Sequence, residues 1–210
     1  MTIDKGKVLI EGMDLSGKTT IVECLRCMMK IEQIQCRTLI KYNHIHDFTV
    51  QQSKMGDMPR QLISELYKLA IKEDLCKYQL NDTGILLQDS YFAFRSYAYE
   101  KDYGSNKMAE EMKKYLQMFP VPEFTFYLTA STEERIKRNK KRNKPMAYME
   151  KLLVNEPEKF ERIESNLKEI TLQLFDAEII DTEGKTPMEI AEYISNKIKK
   201  IERRNDEYER

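Results

Sequence analysis

The stretch "GMDLSGKTT" at residues 12–20, directly after the apolar run "KVLIE", constrains this chain more than any other part of it. Gly12, Gly17, Lys18 and Thr19 fit the spacing G-x-x-x-x-G-K-[ST], which marks a phosphate-binding loop between a strand and a helix. Glycines let the backbone turn tightly and bring several N–H groups around an anion. The helix that follows points its N-terminus at the same place. The flanking sequence agrees: "KVLIE" reads as a buried strand, and residues 18–31 carry apolar side chains at helical spacing. Gly12, Met13, Asp14, Leu15, Ser16, Gly17, Lys18, Thr19 and Thr20 are therefore the expected cradle for the phosphates of a nucleoside triphosphate. Lys18 is placed to reach the outer phosphates as a point charge, and Thr19 to ligate Mg²⁺.

Beyond the loop, strand and helix patterns alternate to the end of the chain. Strand two is expected over 36–42 ("CRTLIKY"), followed by a polar loop over 43–57. A long helix starts at Pro59 and stops near Asn81 and Gly84. Strand three is "GILLQDS". Residues 91–118 hold one or two helices broken near Gly104 and Ser105, and strand four lies within "PVPEFTFYLTA". Ser131, with Glu134 three residues on, forms the start of another helix. A helix over 155–175, strand five in "AEIIDT" and a closing helix over 186–203 complete the pattern, and the all-charged tail is expected to fray. Five apolar strands with helical crossovers predict an α/β fold with a parallel sheet covered on both faces. Ligands in such folds gather at the carboxyl ends of the strands. The phosphate loop, Asp89 and the residues after strand two all fall there. The chain reads as a single domain, 1–210, with a basic lid at about 135–150.

Composition excludes more than it assigns. The chain of 210 residues has 35 basic and 35 acidic residues, so no general charge argument favours a nucleic-acid or membrane partner. No apolar run approaches the roughly 18 residues of a membrane span. The first residues enter a strand at once, which predicts no signal peptide and a cytoplasmic protein. Cys24 and Cys27 make a C-x-x-C, but inside the first predicted helix, where small helix residues in a reducing compartment are the plainer reading. His44 and His46 would share a face at a strand end, but a metal pair wants a third ligand and none is evident.

Three further features bear on what is done with the triphosphate. A guanine-reading N-K-x-D is lacking; "RNKP" at 142–145 comes nearest. The run 135–144 contains Arg135, Lys137, Arg138, Lys140, Lys141, Arg142 and Lys144 with no acid among them. A solvated helix face is the plain account of such a run. Phosphoryl transfer, however, needs cations at the equatorial oxygens, and the loop supplies none between Gly12 and Gly17. A lid bringing Arg135, Arg138 and Arg142 would meet that need. Asp89, at the end of strand three, is placed either to hold Mg²⁺ or to cap the next helix.

At this point the chain resembles the thymidylate kinase family. "IEGMDLSGKTT" is similar to that family's E-G-x-D-x-x-G-K-[ST]-T opening, and "LLQDSYFAFRSYAYE" to its D-R-[YH]-x-x-S-x-x-A-[YF] segment. "PEFTFYLTASTEERIKRNKKR" matches its strand, helix and lid. The resemblance implies strand order 2-3-1-4-5, ATP and Mg²⁺, often a homodimer, and a small nucleotide-like phosphate acceptor. It places Asp14 on the acid that contacts the acceptor sugar. Lys18, Asp14, Asp89, Arg95, Arg138 and Arg142 form the expected catalytic set, with Arg135 on the donor and Thr19 and Asp89 on the metal. Arg60, Tyr67, Lys72, Phe94, Arg95 and Tyr99 are the acceptor candidates, drawn from a segment dense in aromatics. The chain departs from the family on the acceptor side. Ser90 stands in place of the arginine, and Arg95 lies on a segment one residue longer. Lys72 falls where an arginine is usual, leaving Arg60 as that helix's only arginine. "KYNHIHDF" replaces an arginine and proline after strand two. Lysine is no substitute for a bidentate arginine. The expected activity is transfer of the γ-phosphoryl of ATP to a nucleoside monophosphate. The rivals are a kinase for a nucleoside or other metabolite and a non-catalytic ATP-binding switch.

Overall fold

The computed structural model describes residues 2–56, 58–103, 105–142 and 145–208, with side chains to residue 199. Residue 57 at the end of the loop read over 43–57, Gly104, Lys144 and the side chains of the charged tail lie outside the described residues. The central strand β1 (Ile3–Glu11) is flanked by β3 (Leu86–Tyr91) and β4 (Val121–Thr129), with β2 (Gln33–Arg37) and β5 (Glu178–Asp181) at the edges. All pairs are parallel, in the order β2-β3-β1-β4-β5. The middle strands are buried on both faces because helices cover both. On one face, Val8, Ile10, Leu87, Phe126 and Leu128 pack against α1 (Lys18–Met29) and α9 (Pro187–Tyr208). On the other, Leu9, Tyr91 and Tyr127 pack with α4 (Phe92–Asp102), α5 (Asn106–Leu116) and α8 (Pro157–Phe175).

Two expectations need correction. Strand two lies at 33–37 rather than 36–42, and residues 44–55 form a helix, α2 (His44–Met55), rather than a loop. β2 is an edge strand, exposed along most of its length, so it lacks the apolar signal of the inner strands. α2 owes its place to tertiary contacts. Asn43 caps it, accepting from the His46 amide at 2.9 Å. The same side chain donates to the Ala70 carbonyl at 2.8 Å and to Asp74 Oδ1 at 2.6 Å, both on α3 (Arg60–Lys77). His44 and His46 thus stand on a helix, not at a strand end, and the described residues contain no group of three or more metal-ligating side chains.

The helix begun at Ser131 is α6 (Thr132–Lys141), whose Glu134 amide donates to Ser131 Oγ at 3.2 Å. The segment after it contains α7 (Tyr148–Asn155), whose Met149, Leu152 and Leu153 are buried. α9 continues to Tyr208, into the tail expected to fray.

Candidate active site

The loop between β1 and α1 closes tightly over the sheet. A Cβ at Gly12, where φ is +145°, would lie 2.4 Å from the Leu128 carbonyl oxygen, so only glycine fits. Glu11, buried at the end of β1, accepts from the Gly12 amide at 2.9 Å and from the Tyr91 amide at 2.8 Å. It thereby ties the loop to the end of β3. Burial pushes its carboxyl above the ordinary range against the pull of Arg95 and Lys18. Lys18 Nζ donates to the Met13 carbonyl at 2.9 Å, and burial together with Arg95 lowers its pKa. The buried Ser16 Oγ has no hydrogen-bond partner among the described residues. These are groups with unspent capacity for an anion in the cradle.

Thr19 Oγ1 donates to Asp89 Oδ2 at 2.8 Å, so the hydroxyl and the carboxylate predicted for a metal meet although 70 residues apart. They are hard oxygen donors, and two of them suit an ion that completes its shell with phosphate and water, as Mg²⁺ does. Ser90, next along β3, holds a left-handed φ of +66°, a strained value for a residue with a Cβ.

A cleft of about 100 Å³ opens beyond Asp89, with Arg37, His46, Tyr67, Phe92, Arg95 and Tyr99 in its walls. Arg95 Nη1 pairs with Asp14 Oδ1 at 2.8 Å, and Nη2 donates to the Gly12 carbonyl at 3.3 Å. Its Nε is buried and has no partner among the described residues. For Asp14, burial works upward, but Arg95 and Lys18 outweigh it and hold the carboxyl below the usual range. Of the six acceptor candidates, Tyr67, Arg95 and Tyr99 line this cleft. Arg60 sits farther out, its guanidinium 3.3 Å from the Tyr103 ring centre. Two candidates are corrected. Phe94 is fully buried among Tyr91, Phe119 and Phe175, and Lys72 lies over the Tyr115 ring, so neither is in the cleft.

Arg37 and His46 are the residues that sequence reading missed. The misplaced strand two hid them. With β2 ending at Arg37, an arginine does stand immediately at its carboxyl end, where one had been thought lost. His46 packs on Phe92 at 4.6 Å between ring centres because α2 exists.

A second cleft, of about 300 Å³, lies on the other side of the loop against Ser16, Gly17, Thr20, Arg138, Arg142 and Thr182. Arg138 Nη1 donates to the Leu15 carbonyl at 3.1 Å and to Thr182 Oγ1 at 2.9 Å. Arg142 pairs with Glu150. Arg135 is not a mobile cation as expected. Its side chain is fully buried, donating to the Ala130 carbonyl at 3.0 Å and the Asp14 carbonyl at 2.6 Å and pairing with Glu164. It braces the loop from behind, because position 135 falls on the inner face of α6.

Two clefts meeting at one phosphate loop can bring a donor and an acceptor together. A sequence model of thymidylate kinase matches residues 10–194, nearly the whole of the chain. The chain belongs to the thymidylate kinase family. It is a phosphotransferase on that ground. The thymidylate kinase of Candida albicans superposes with a TM-score of 0.65 at 19% identity, covering 96% of this chain and 94% of that one. Deoxyadenosine kinase from M. mycoides with bound dATP gives a TM-score of 0.57 at 20% identity, covering 92% of this chain and 99% of its own. The same enzyme with dCMP and dCDP gives 0.60 at 18% identity, with the same coverage. At these identities the likeness is one of fold. Among curated proteins, none matches this family member in sequence. None of its described helices is long and apolar enough to cross a membrane.

Proposed function

We propose that this protein transfers the γ-phosphoryl group of ATP to a nucleoside monophosphate, with Mg²⁺ held by Thr19 and Asp89. The observation that carries the reading is Arg95. Arg95 and Arg37 line the same small cleft, and two guanidinium groups there make it an anion site. A nucleoside brings no phosphate to such a site.

In this reading the triphosphate lies along the loop from the larger cleft, its outer phosphates against the backbone amides of residues 12–19 and Lys18. Mg²⁺, when bound, neutralises charge on the donor phosphates. Lys18 moves from the Met13 carbonyl to the transferring group, whose negative charge offsets the burial that disfavours its ammonium. Asp14 stays ionised and orients Arg95 toward the acceptor. Arg138 and Arg142, in a lid that follows the braced Arg135, close over the donor and exclude water that would otherwise compete as acceptor. Tyr67, Phe92 and Tyr99 form apolar walls for the acceptor's ring. Cys24, Cys27, Cys36 and Cys76 are all free thiols, which fits a reducing cytosol.

Ser90 favours the second reading, a nucleoside kinase, because it removes one phosphate-binding arginine from the family pattern. The test is ADP release from ATP and Mg²⁺ across paired nucleosides and nucleoside monophosphates. Monophosphates as the better acceptors are the expected result. Nucleosides as the better acceptors would replace this reading with the second, and slow hydrolysis without acceptor stimulation would leave an ATP-driven switch.

A further inference from the structure

The acceptor cleft does not end at Tyr99. Tyr67, Ser96 and Tyr99 also line a neighbouring chamber of about 330 Å³, which continues past Arg60, Ser64, Glu100 and Tyr103 into a third space of about 480 Å³. Glu100 lines both outer spaces. It is only 6% exposed, on the turn of α4 that faces α3. Ser64 Oγ donates to its Oε1. Among the described residues its Oε2 accepts no hydrogen bond, and no Lys or Arg nitrogen lies within 4 Å of either oxygen. The nearby cations are engaged elsewhere. Arg60 and Lys159 both lie over the Tyr103 ring, and Lys68 pairs with Glu65 and Glu111 at 2.7 Å each. That oxygen is open to the two spaces Glu100 lines, with capacity left for a donor brought by a ligand.

We propose that Glu100, held by Ser64, is the specificity-determining residue at the outer end of the acceptor cleft, and that it takes an amino group on the acceptor's ring or on a short arm from it. The inference rests on the kinase reading above and names the chemistry of its acceptor. The inner end of the cleft, at Arg37 and Arg95, takes the anionic group. The aromatic middle takes the ring. The outer end accepts N–H. Such an end also discriminates: a ring carbonyl turned toward Glu100 would meet a carboxylate instead of a donor, so acceptors lacking the amine are rejected rather than merely bound less well.

The test is steady-state phosphorylation by the full chain of two matched pairs, each offered as the nucleoside and as the 5′-monophosphate. One pair is deoxycytidine and deoxyuridine. The other is 5-(3-aminoallyl)-deoxyuridine and thymidine. In the pair containing the best acceptor, the amine-bearing member should have kcat/KM higher by about tenfold or more, the worth of a hydrogen bond to a charged group. Glu100→Gln should collapse that ratio, and Ser64→Ala, which leaves the carboxylate but frees it, should reduce it partly. Thermal melting of both variants separates loss of preference from loss of fold, and the ratio is read only on folded protein. Transfer to these acceptors without preference for the amine, or a preference that survives both substitutions, overturns the assignment of Glu100 and leaves the kinase reading standing. No transfer to any of them, with ATP still bound, overturns both.

Discussion

Lys18 rests on the Met13 carbonyl, and Arg95 spans Asp14 and the Gly12 carbonyl. Both cations are therefore parked on the loop they would serve, within reach of any phosphate placed there. Lys18→Ala should lower kcat by about 10²-fold or more, the scale for losing one preorganised transition-state donor, while ATP binding weakens far less. Single-turnover transfer and equilibrium ATP binding on the same preparation would check this. Arg95→Ala should raise the acceptor KM by about tenfold, with the ATP KM little changed, because the residue lines the acceptor cleft. Arg95→Lys should not restore it, since an ammonium cannot hold Asp14 and an anion in one planar fork. An acceptor KM unmoved by Arg95→Ala would remove this residue from the site. Lys18 and the loop were legible from spacing. Arg37 was not, because its role depends on where an exposed edge strand stops.

Helix α2 shows what an element can owe to its neighbours. Its sequence is polar, and only Asn43, buried and bonded to the His46 amide, Ala70 and Asp74 together, sets its start. Asn43→Ala should cost about 1–2 kcal/mol through loss of the cap, measurable by urea denaturation, and should raise the acceptor KM as His46 loosens. In α6 and just after it, the described cations of the basic run divide between two jobs. Arg135 turns inward to Glu164 and the Asp14 carbonyl, whereas Arg138 and Arg142 face the donor cleft. Arg135→Ala should destabilise the protein by about 3 kcal/mol by leaving the half-buried Glu164 unpaired and removing a fully buried side chain. Arg138→Ala should move the unfolding midpoint less, because its partner Glu134 keeps Lys137, and should lower kcat. Equal melting of the two variants would refute that division.

At the scale of the whole molecule, the site occupies one end of the sheet, and a second buried ionic cluster occupies the other. Lys7 Nζ lies 3.0 Å from Tyr78 Oη and 3.7 Å from Asp4 Oδ2, and the Asn81 amide donates to Asp4 at 2.9 Å. Burial, offset in part by Asp4, lowers the Lys7 pKa from 10.5 to about 8. Between those values the unfolded chain holds more protons than the folded one. The contribution of this group to stability therefore rises with pH from about 8 to 10.5. Denaturation midpoints across that window should show the rise in the native protein and lack it in Lys7→Met. The folded fraction of that variant should keep its activity, because the cluster lies away from the clefts and Asp4 retains the Tyr78 hydroxyl and the Asn81 amide. A pH profile identical in the two proteins would place the titration elsewhere.

The local code in this chain determined the phosphate loop, its strand and helix, the alternation that makes a parallel sheet, and the approach of Thr19 to Asp89. The loop and the alternation follow from spacing and periodicity, and the meeting of Thr19 with Asp89 from the sheet topology that the alternation implies. Tertiary structure decided the rest. β2 and α2 carry too little apolar signal to place themselves, so Arg37 and His46 entered the cleft only through contacts with β3 and α3. Which aromatic lines a pocket and which fills a core is a matter of facing, so Phe92 and Tyr99 reached the cleft while Phe94 went to the interior. Arg135 and Arg138 are three residues apart in one basic run, yet packing against α8 and the loop made one a brace and left the other to the donor cleft.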